Sequence, residues 1–215
     1  MEGAMMNVKL ASMLSGAGVI LALAPAAASA VNLITNGDFE SWSGSFLPSA
    51  GYSTVNAGQS FINDWTVGST SVDVIRGAYG AISGISIDLL GTPGPGSVSQ
   101  TFASSASQQY KVAFDLSKNT YSTGGASAMT VIIGGAAPLS LSYTGTASPT
   151  HYEFLYTATG TSTNLKFVSA DSGNSGAVLD NVSVTAVPEA DTYTMLIAGL
   201  GLVGFVARRR MPKSL

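Results

Sequence analysis

The chain is 215 residues long, carries charge on only 10% of them, and contains no cysteine and one histidine, His151. That excludes disulfides, cysteine-ligated zinc and thiol catalysis, and no Gly-x-Ser-x-Gly elbow accompanies the lone histidine to make a serine triad. Residues 31–187 hold Arg76, Lys111, Lys118 and Lys166 against nine acidic residues, a net charge of −5, which leaves no electrostatic footprint for nucleic acid.

The first element follows Lys9. Leu10 to Pro25 is a run of apolar and small residues, and Ala28-Ser29-Ala30 gives the small-x-small pattern of a signal peptidase site. Residues 1–30 are therefore predicted to be a secretory signal peptide, with Ala28 and Ala30 as its cleavage determinants and Val31 as the new N-terminus.

From residue 31 to residue 186 short apolar or β-branched runs alternate with clusters of Gly, Ser, Asn and Pro, the rhythm of one antiparallel β-sandwich. Strands are predicted around Trp65 to Ile75, Ile85 to Leu89, Ser97 to Phe102, Tyr110 to Leu116, Ala128 to Ile133, His151 to Thr157, Leu165 to Ser169 and Ala177 to Thr185. In the clearest of them Tyr110, Val112, Phe114 and Leu116 share one face and Lys111 and Asp115 the other. Ile85, Ile87 and Leu89 alternate with Ser86 and Asp88 in the same way. The segments 91–96, 122–125 and 171–176 are rich in turn residues and read as loops. No window between Val31 and Val187 keeps a 3.6-residue apolar period, so no long helix is expected there. Trp65 follows the strand pattern and is assigned to the core, and His151 reads as a polar strand residue.

Residues 187–215 form a separate tail. An apolar stretch of 15 residues, 193–207, precedes Arg208, Arg209 and Arg210. It is shorter than the ~20 residues that span a ~30 Å hydrocarbon core, yet the arginines would hold one end at the cytoplasmic face, so it reads as a short transmembrane helix. Gly199, Gly201 and Gly204 match the spacing of a dinucleotide loop but lie inside this apolar run, with no strand before them.

Candidate chemistry is sparse. Nine carboxylates allow glycoside hydrolysis by inventory, but none stands in a recognisable catalytic motif, so the domain reads as non-enzymatic. Sugar binding needs an aromatic face ringed by hydrogen-bonding groups. Trp42, Tyr52, Tyr79 and Tyr121, each in a polar, Gly-rich stretch, are its candidates.

Two resemblances organise these readings. Pro188-Glu189, a Gly-rich apolar span and the arginine cluster resemble the PEP-CTERM sorting signal, with Ala190 where a second proline is usual. The resemblance implies recognition by an exosortase-type membrane protease of a Gram-negative bacterium, transient anchoring in the inner membrane, and delivery to the cell surface or extracellular matrix.

Between the two ends, Asn32-Leu-Ile-Thr-Asn-Gly-Asp-Phe-Glu40, Ile62-Asn-Asp-Trp-Thr-Val67, Ile87-Asp-Leu89, Gly96-Ser-Val-Ser-Gln-Thr-Phe102, Tyr110-Lys-Val-Ala-Phe114 and Gly176-Ala-Val-Leu-Asp-Asn-Val182 follow one another. In that order they resemble the galactose-binding-like jelly roll of the DUF642 and choice-of-anchor C families. The resemblance implies an all-β jelly-roll sandwich. It also implies a structural Ca²⁺ held by Glu40 and Asp180, with Asp38 as a further ligand. The function expected is binding of extracellular polysaccharide. The alternatives are a purely structural surface or biofilm-matrix unit, or a glycoside-processing enzyme.

Overall fold

The computed structural model describes residues 31–43, 51–123, 126–135, 139–188 and 190–210, with the backbone alone for 190–195. The predicted signal peptide, with Ala28 and Ala30, and Glu189 of the sorting signal lie outside the described residues.

Among the described residues the strands are β1 (Gly51–Asn56), β2 (Thr66–Ser69), β3 (Ser71–Arg76), β4 (Ile85–Asp88), β5 (Gly96–Ala103), β6 (Gln109–Lys118), β7 (Ser127–Gly134), β8 (Leu139–Gly145), β9 (Thr150–Thr157), β10 (Ser162–Ser169) and β11 (Ala177–Ala186). They form two antiparallel sheets, one of six strands in the order β1-β3-β4-β11-β6-β9 and one of five in the order β2-β5-β10-β7-β8.

The period-two faces close on each other as the alternation requires. Val72 and Val74 of β3, Ile85 and Ile87 of β4, and Val112, Phe114 and Leu116 of β6 meet Val98, Met129, Val131, Leu165 and Phe167 of the other sheet. Phe114 is the hub, with ring centroids 5.3 Å from Phe167, 5.1 Å from Tyr143 and 5.7 Å from Tyr152. Trp65 is buried in this core and donates its Nε1–H to the Asn36 carbonyl at 2.8 Å. Gln100 enters the same layer with its amide satisfied by the Thr35 and Asp64 backbone, which pins the N-terminal segment to β5.

A bulge in β11 sets which residues leave the core. The register with β6 shifts between Asp180 and Ser183, and Asn181 takes φ 52°. The extra residue lets Asp180 and Asn181 both stay outside while Val182 and Val184 return inward.

Three expectations change. The stretch Trp65 to Ile75 is two strands in different sheets, β2 and β3, because the chain turns at Ser69 with φ 62°. The strands β1 and β8 have no counterpart among the predicted elements: β1 buries only Val55 fully, and β8 is an edge strand whose alternation faces largely outward. Ser86 and Asp88 do not face solvent; both are fully buried.

The tail forms α1 (Ala190–Arg210), ending in the three arginines. Among the described residues no helix is long and apolar enough to cross a membrane. The segment 193–207, expected as a transmembrane span, lies within this helix, and its 15 apolar residues rise roughly 22 Å against a hydrocarbon core of ~30 Å.

Removing the hub ring gives a direct test of the core. Phe114→Ala should cost about 3–5 kcal/mol, read as a lower denaturant midpoint at unchanged m-value; a shift below about 1 kcal/mol would mean that the two sheets do not close on this ring.

Candidate functional site

The site lies on the outer face of the six-stranded sheet. On a solvated sheet the residues opposite the core would be exposed. Here Asp73 and Ile75 of β3, Ser86 and Asp88 of β4, and Val178 and Asp180 of β11 are all buried, because loops fold back over this face.

Asp88 gathers those loops. Its Oδ1 accepts from the Leu90 amide at 2.9 Å and the Gly176 amide at 3.1 Å, and its Oδ2 accepts from Asn119 Nδ2 at 2.7 Å. These donors belong to the β4–β5, β10–β11 and β6–β7 connections. The Asn119 amide in turn donates to the Gly176 carbonyl at 2.8 Å, so two of the loops are also tied to each other. Burial pushes the Asp88 carboxyl from its ordinary 3.8 up to about 7, outweighing three hydrogen bonds that favour the anion.

The connection between β3 and β4 is fastened to the end of β6. Ser117 Oγ donates to the Gly80 carbonyl at 2.8 Å, and Gly80, at φ 86°, passes so close that a Cβ there would lie 2.2 Å from the Lys118 carbonyl oxygen. Only glycine permits that approach. Its neighbour Tyr79 is held at φ 58°, a left-handed conformation costing a non-glycine residue roughly 1–2 kcal/mol. Strain at an aromatic side chain beside a cavity is the kind a structure retains at a binding site.

These constraints bring Tyr52 from β1, Tyr79, and Tyr121 from beyond β6 to one place. The Tyr52 and Tyr79 rings meet edge to face at 5.5 Å, and those of Tyr79 and Tyr121 are tilted at 5.1 Å. They border a cavity of about 360 Å³ whose wall also includes Asp73 and Ile75 of β3 and Thr92 of the β4–β5 connection. Asn119, Asn174 and Ser175 complete it with amide and hydroxyl groups. Tyr121 is 71% exposed and Tyr52 49%, so ring surface remains for a ligand.

Three of the four aromatic candidates thus converge. The fourth does not: Trp42 pairs with Ile62 in an isolated bridge, packs against the core and donates its Nε1–H to the Phe39 carbonyl. Sequence reasoning missed Asp73, Thr92, Asn119, Asn174 and Ser175. The last two sit in the predicted 171–176 loop, where a turn signal was legible and a cavity wall was not. A second cavity of about 330 Å³, between Asp64 and Asn164 on the five-stranded sheet, has no aromatic residue in its wall among the described residues.

The residues expected to hold calcium are partly together. Glu40 Oε1 accepts from the Ile85 amide at 2.7 Å, and Asp180 Oδ2 accepts from the Ser83 amide at 3.1 Å and from Ser86 Oγ at 2.9 Å. The two carboxylates therefore flank one turn, and Gly84 at φ 47° makes room for them, since a Cβ there would fall 1.9 Å from Glu40 Oε1. Burial pushes Asp180 up to about 7, and the Glu40 charge adds to the push. An all-oxygen pair of this kind suits a hard cation. Asp38 does not complete a trio: its one hydrogen bond is from the Glu40 amide, at 3.5 Å, and no group of three acidic or histidine residues able to hold a metal occurs among the described residues.

His151 lies on β9, exposed, with Nδ1 2.7 Å from Asp115 Oδ1, and Asn181 donates to the other oxygen of Asp115 at 2.8 Å. In the sorting tail, Pro188 is exposed, Arg208, Arg209 and Arg210 occupy the last turn of α1, and the Arg209 guanidinium lies 5.4 Å from the Phe205 ring centroid.

Fold and site together define a two-sheet β-sandwich with a loop-roofed pocket, followed by a sorting tail. The chain belongs to the DUF642 family, a family of proteins of unknown function, whose model matches residues 32–185, and residues 186–210 match the PEP-CTERM protein-sorting motif. No curated protein matches the chain. Among solved structures, it is similar to a CBM4 structure at 15% identity, covering 72% of this chain and 99% of that one, with TM-score 0.44. TmCBM61 in complex with β-1,4-galactotriose matches at 12% identity over 74% of this chain and 100% of that one, with TM-score 0.43. The CBM22-1 xylan-binding domain of Paenibacillus barcinonensis Xyn10C matches at 13% over 66% and 100%, again with TM-score 0.43.

The buried Asp88 sets a pH dependence. A carboxyl whose folded pKa exceeds its unfolded value holds more protons when folded, so its contribution lowers stability as pH rises from about 4 to about 7 and levels off above that. Asp180 adds to the same slope, while Asp73 faces Asp88 across the strand pair. Thermal melts across this range should lose part of the slope in Asp88→Asn; an unchanged profile would show that Asp88 does not ionise in the native protein.

Proposed function

We propose that this protein is an exported, non-enzymatic surface protein whose sandwich binds polysaccharide in the tyrosine pocket. The observation that carries the reading is the convergence of Tyr52, Tyr79 and Tyr121 on one cavity ringed by amide and hydroxyl groups. Pyranose rings present apolar C–H faces edged by hydroxyls, and that is what ring faces beside Asn119, Asn174 and Ser175 complement. The pocket is large enough for one or two sugar residues and opens to solvent beside the exposed Tyr121, so the rest of a polymer can continue outward.

The match of the tail to the PEP-CTERM sorting motif supports a sorting route. In this reading an exosortase-type membrane protease of a Gram-negative bacterium takes α1 as its substrate. The tail engages the inner membrane before processing, with Arg208 to Arg210 on the cytoplasmic side. The mature domain then works at the cell surface or in the biofilm matrix, without nucleic acid as a partner.

A structural Ca²⁺ between Glu40 and Asp180 belongs to the same proposal. It would fasten the turn Ser83–Ile85, and with it the connection that carries Tyr79, to the bulge of β11.

Two experiments test these readings. In affinity electrophoresis the full chain should be retarded by polysaccharide, and Tyr121→Ala, at a largely exposed ring, should weaken binding about tenfold, or ~1.4 kcal/mol, with its melt little changed. Absence of retardation on every polysaccharide tried, including that of the producing cell, would leave a purely structural role. Chelation should lower the melting temperature by about 3 °C or more, equivalent to ~1 kcal/mol for a domain of this size, and added Ca²⁺ should restore it. An unchanged melt would remove the ion from the account.

A further inference from the structure

The tyrosine pocket carries charge as well as rings. Asp73 stands in its wall, 5% exposed, and neutral donors alone hold its carboxylate. Thr54 Oγ1 donates to Oδ1 at 2.7 Å, the Thr92 amide to Oδ1 at 3.2 Å, and Thr92 Oγ1 to Oδ2 at 3.2 Å. Among the described residues, neither ion pair involves Asp73 and no Lys, Arg or His lines the cavity. A carboxylate offers about four acceptor positions, so three donors leave Oδ2 able to accept one more. Across the strand pair stands Asp88, a second acid and not a counter-ion.

A neutral sugar does not call for this arrangement, since its hydroxyls are met equally well by amide or carbonyl oxygens. An uncompensated carboxylate in a poorly solvated wall is costly unless the ligand brings the opposite charge. The rings add to the selection: the faces of Tyr52, Tyr79 and Tyr121 are negative and attract a cation placed among them. A uronate would meet both the acid and the ring faces with the wrong sign.

We propose that the pocket selects a polysaccharide bearing free, protonated amines, an amino-sugar polymer, in preference to its N-acetylated form and against uronic-acid polymers. Asp73 Oδ2 accepts a hydrogen bond from the ammonium, the tyrosines enclose it, and Asn119, Asn174 and Ser175 read the neighbouring hydroxyls. The inference rests on the reading of this pocket as a glycan site, and its test separates the two.

The detergent-solubilised full chain is titrated calorimetrically with β-1,4-linked glucosamine hexamer, the matching N-acetylglucosamine hexamer and a galacturonate hexamer. The glucosamine hexamer should bind at least about tenfold more tightly than its acetylated form, and galacturonate most weakly. The preference should fade as pH is raised and the amine loses its proton, and in Asp73→Asn the two glucosamine forms should bind alike. Because the sugar series is run on the unaltered chain, the outcome does not depend on how well the variant folds. Equal affinity for the first two hexamers overturns the amine preference and leaves glycan binding standing. Binding of none of the three, together with no retardation on any polysaccharide, overturns both. Tighter capture of hexalysine than of the glucosamine hexamer also overturns the inference, because the pocket would then recognise ammonium groups without the sugar.

Discussion

The outer face of the six-stranded sheet is organised by one buried carboxylate. Asp88 points away from the sandwich core, yet it is fully enclosed, because the amides of Leu90 and Gly176 and the side chain of Asn119 close over it. A buried acid stripped of its donors is far less stable than one that keeps them. None of the three connections can lift away without stranding that group. The connections that supply Thr92, Tyr121, Asn174 and Ser175 to the pocket are thereby tied to one buried group, and a pocket whose walls are held before binding loses little freedom when a ligand enters.

The same logic extends along the sheet. Asp180, buried on this face beside the bulge at Asn181, accepts from the Ser83 amide and Ser86, and Glu40, in the N-terminal segment, accepts from the Ile85 amide. Together they fasten the connection that carries Tyr79, while Gly80 and Ser117 lock its other side to β6. Ring placement is thus a consequence of polar contacts beneath the rings. The sorting tail is chemically unlike this domain, with Leu200, Leu202, Val203 and Phe205 exposed on α1 ahead of the arginines. Its apolar surface contrasts with the polar roof of the sheet.

Period-two alternation made the core legible: Tyr110, Val112, Phe114 and Leu116 face inward as the sequence pattern requires, and Trp65 joins them. Alternation has no means of detecting a second burial on the far face, so Ser86 and Asp88 read as solvated when loops in fact cover them. The strand β1 escaped notice because its single fully buried residue, Val55, carries no pattern. Local composition marked Tyr52, Tyr79 and Tyr121 as surface aromatics. Their meeting depends on a strand order, β1-β3-β4-β11-β6, that joins residues some seventy positions apart, and no local signal encodes that. Trp42 sits in an equally polar stretch and was indistinguishable from them until the Ile62 bridge turned it toward the core. Asp38 stands in the same motif as Glu40, yet the hydrogen bonds to the Ser83–Ile85 turn come to Glu40 and Asp180.

The central claim is that ligand recognition resides at the tyrosine pocket and that Asp88 holds its walls. Amide chemical-shift mapping of the isotopically labelled full chain during titration with an oligosaccharide that it binds tests this most directly. The account predicts perturbations concentrated at Tyr52, Tyr79, Asn119, Tyr121 and Ser175, with Leu90 and Gly176 little moved because their amides are already committed to Asp88. Perturbations centred on the Asp64 to Asn164 cavity of the other sheet, or spread without focus over both sheets, would contradict it.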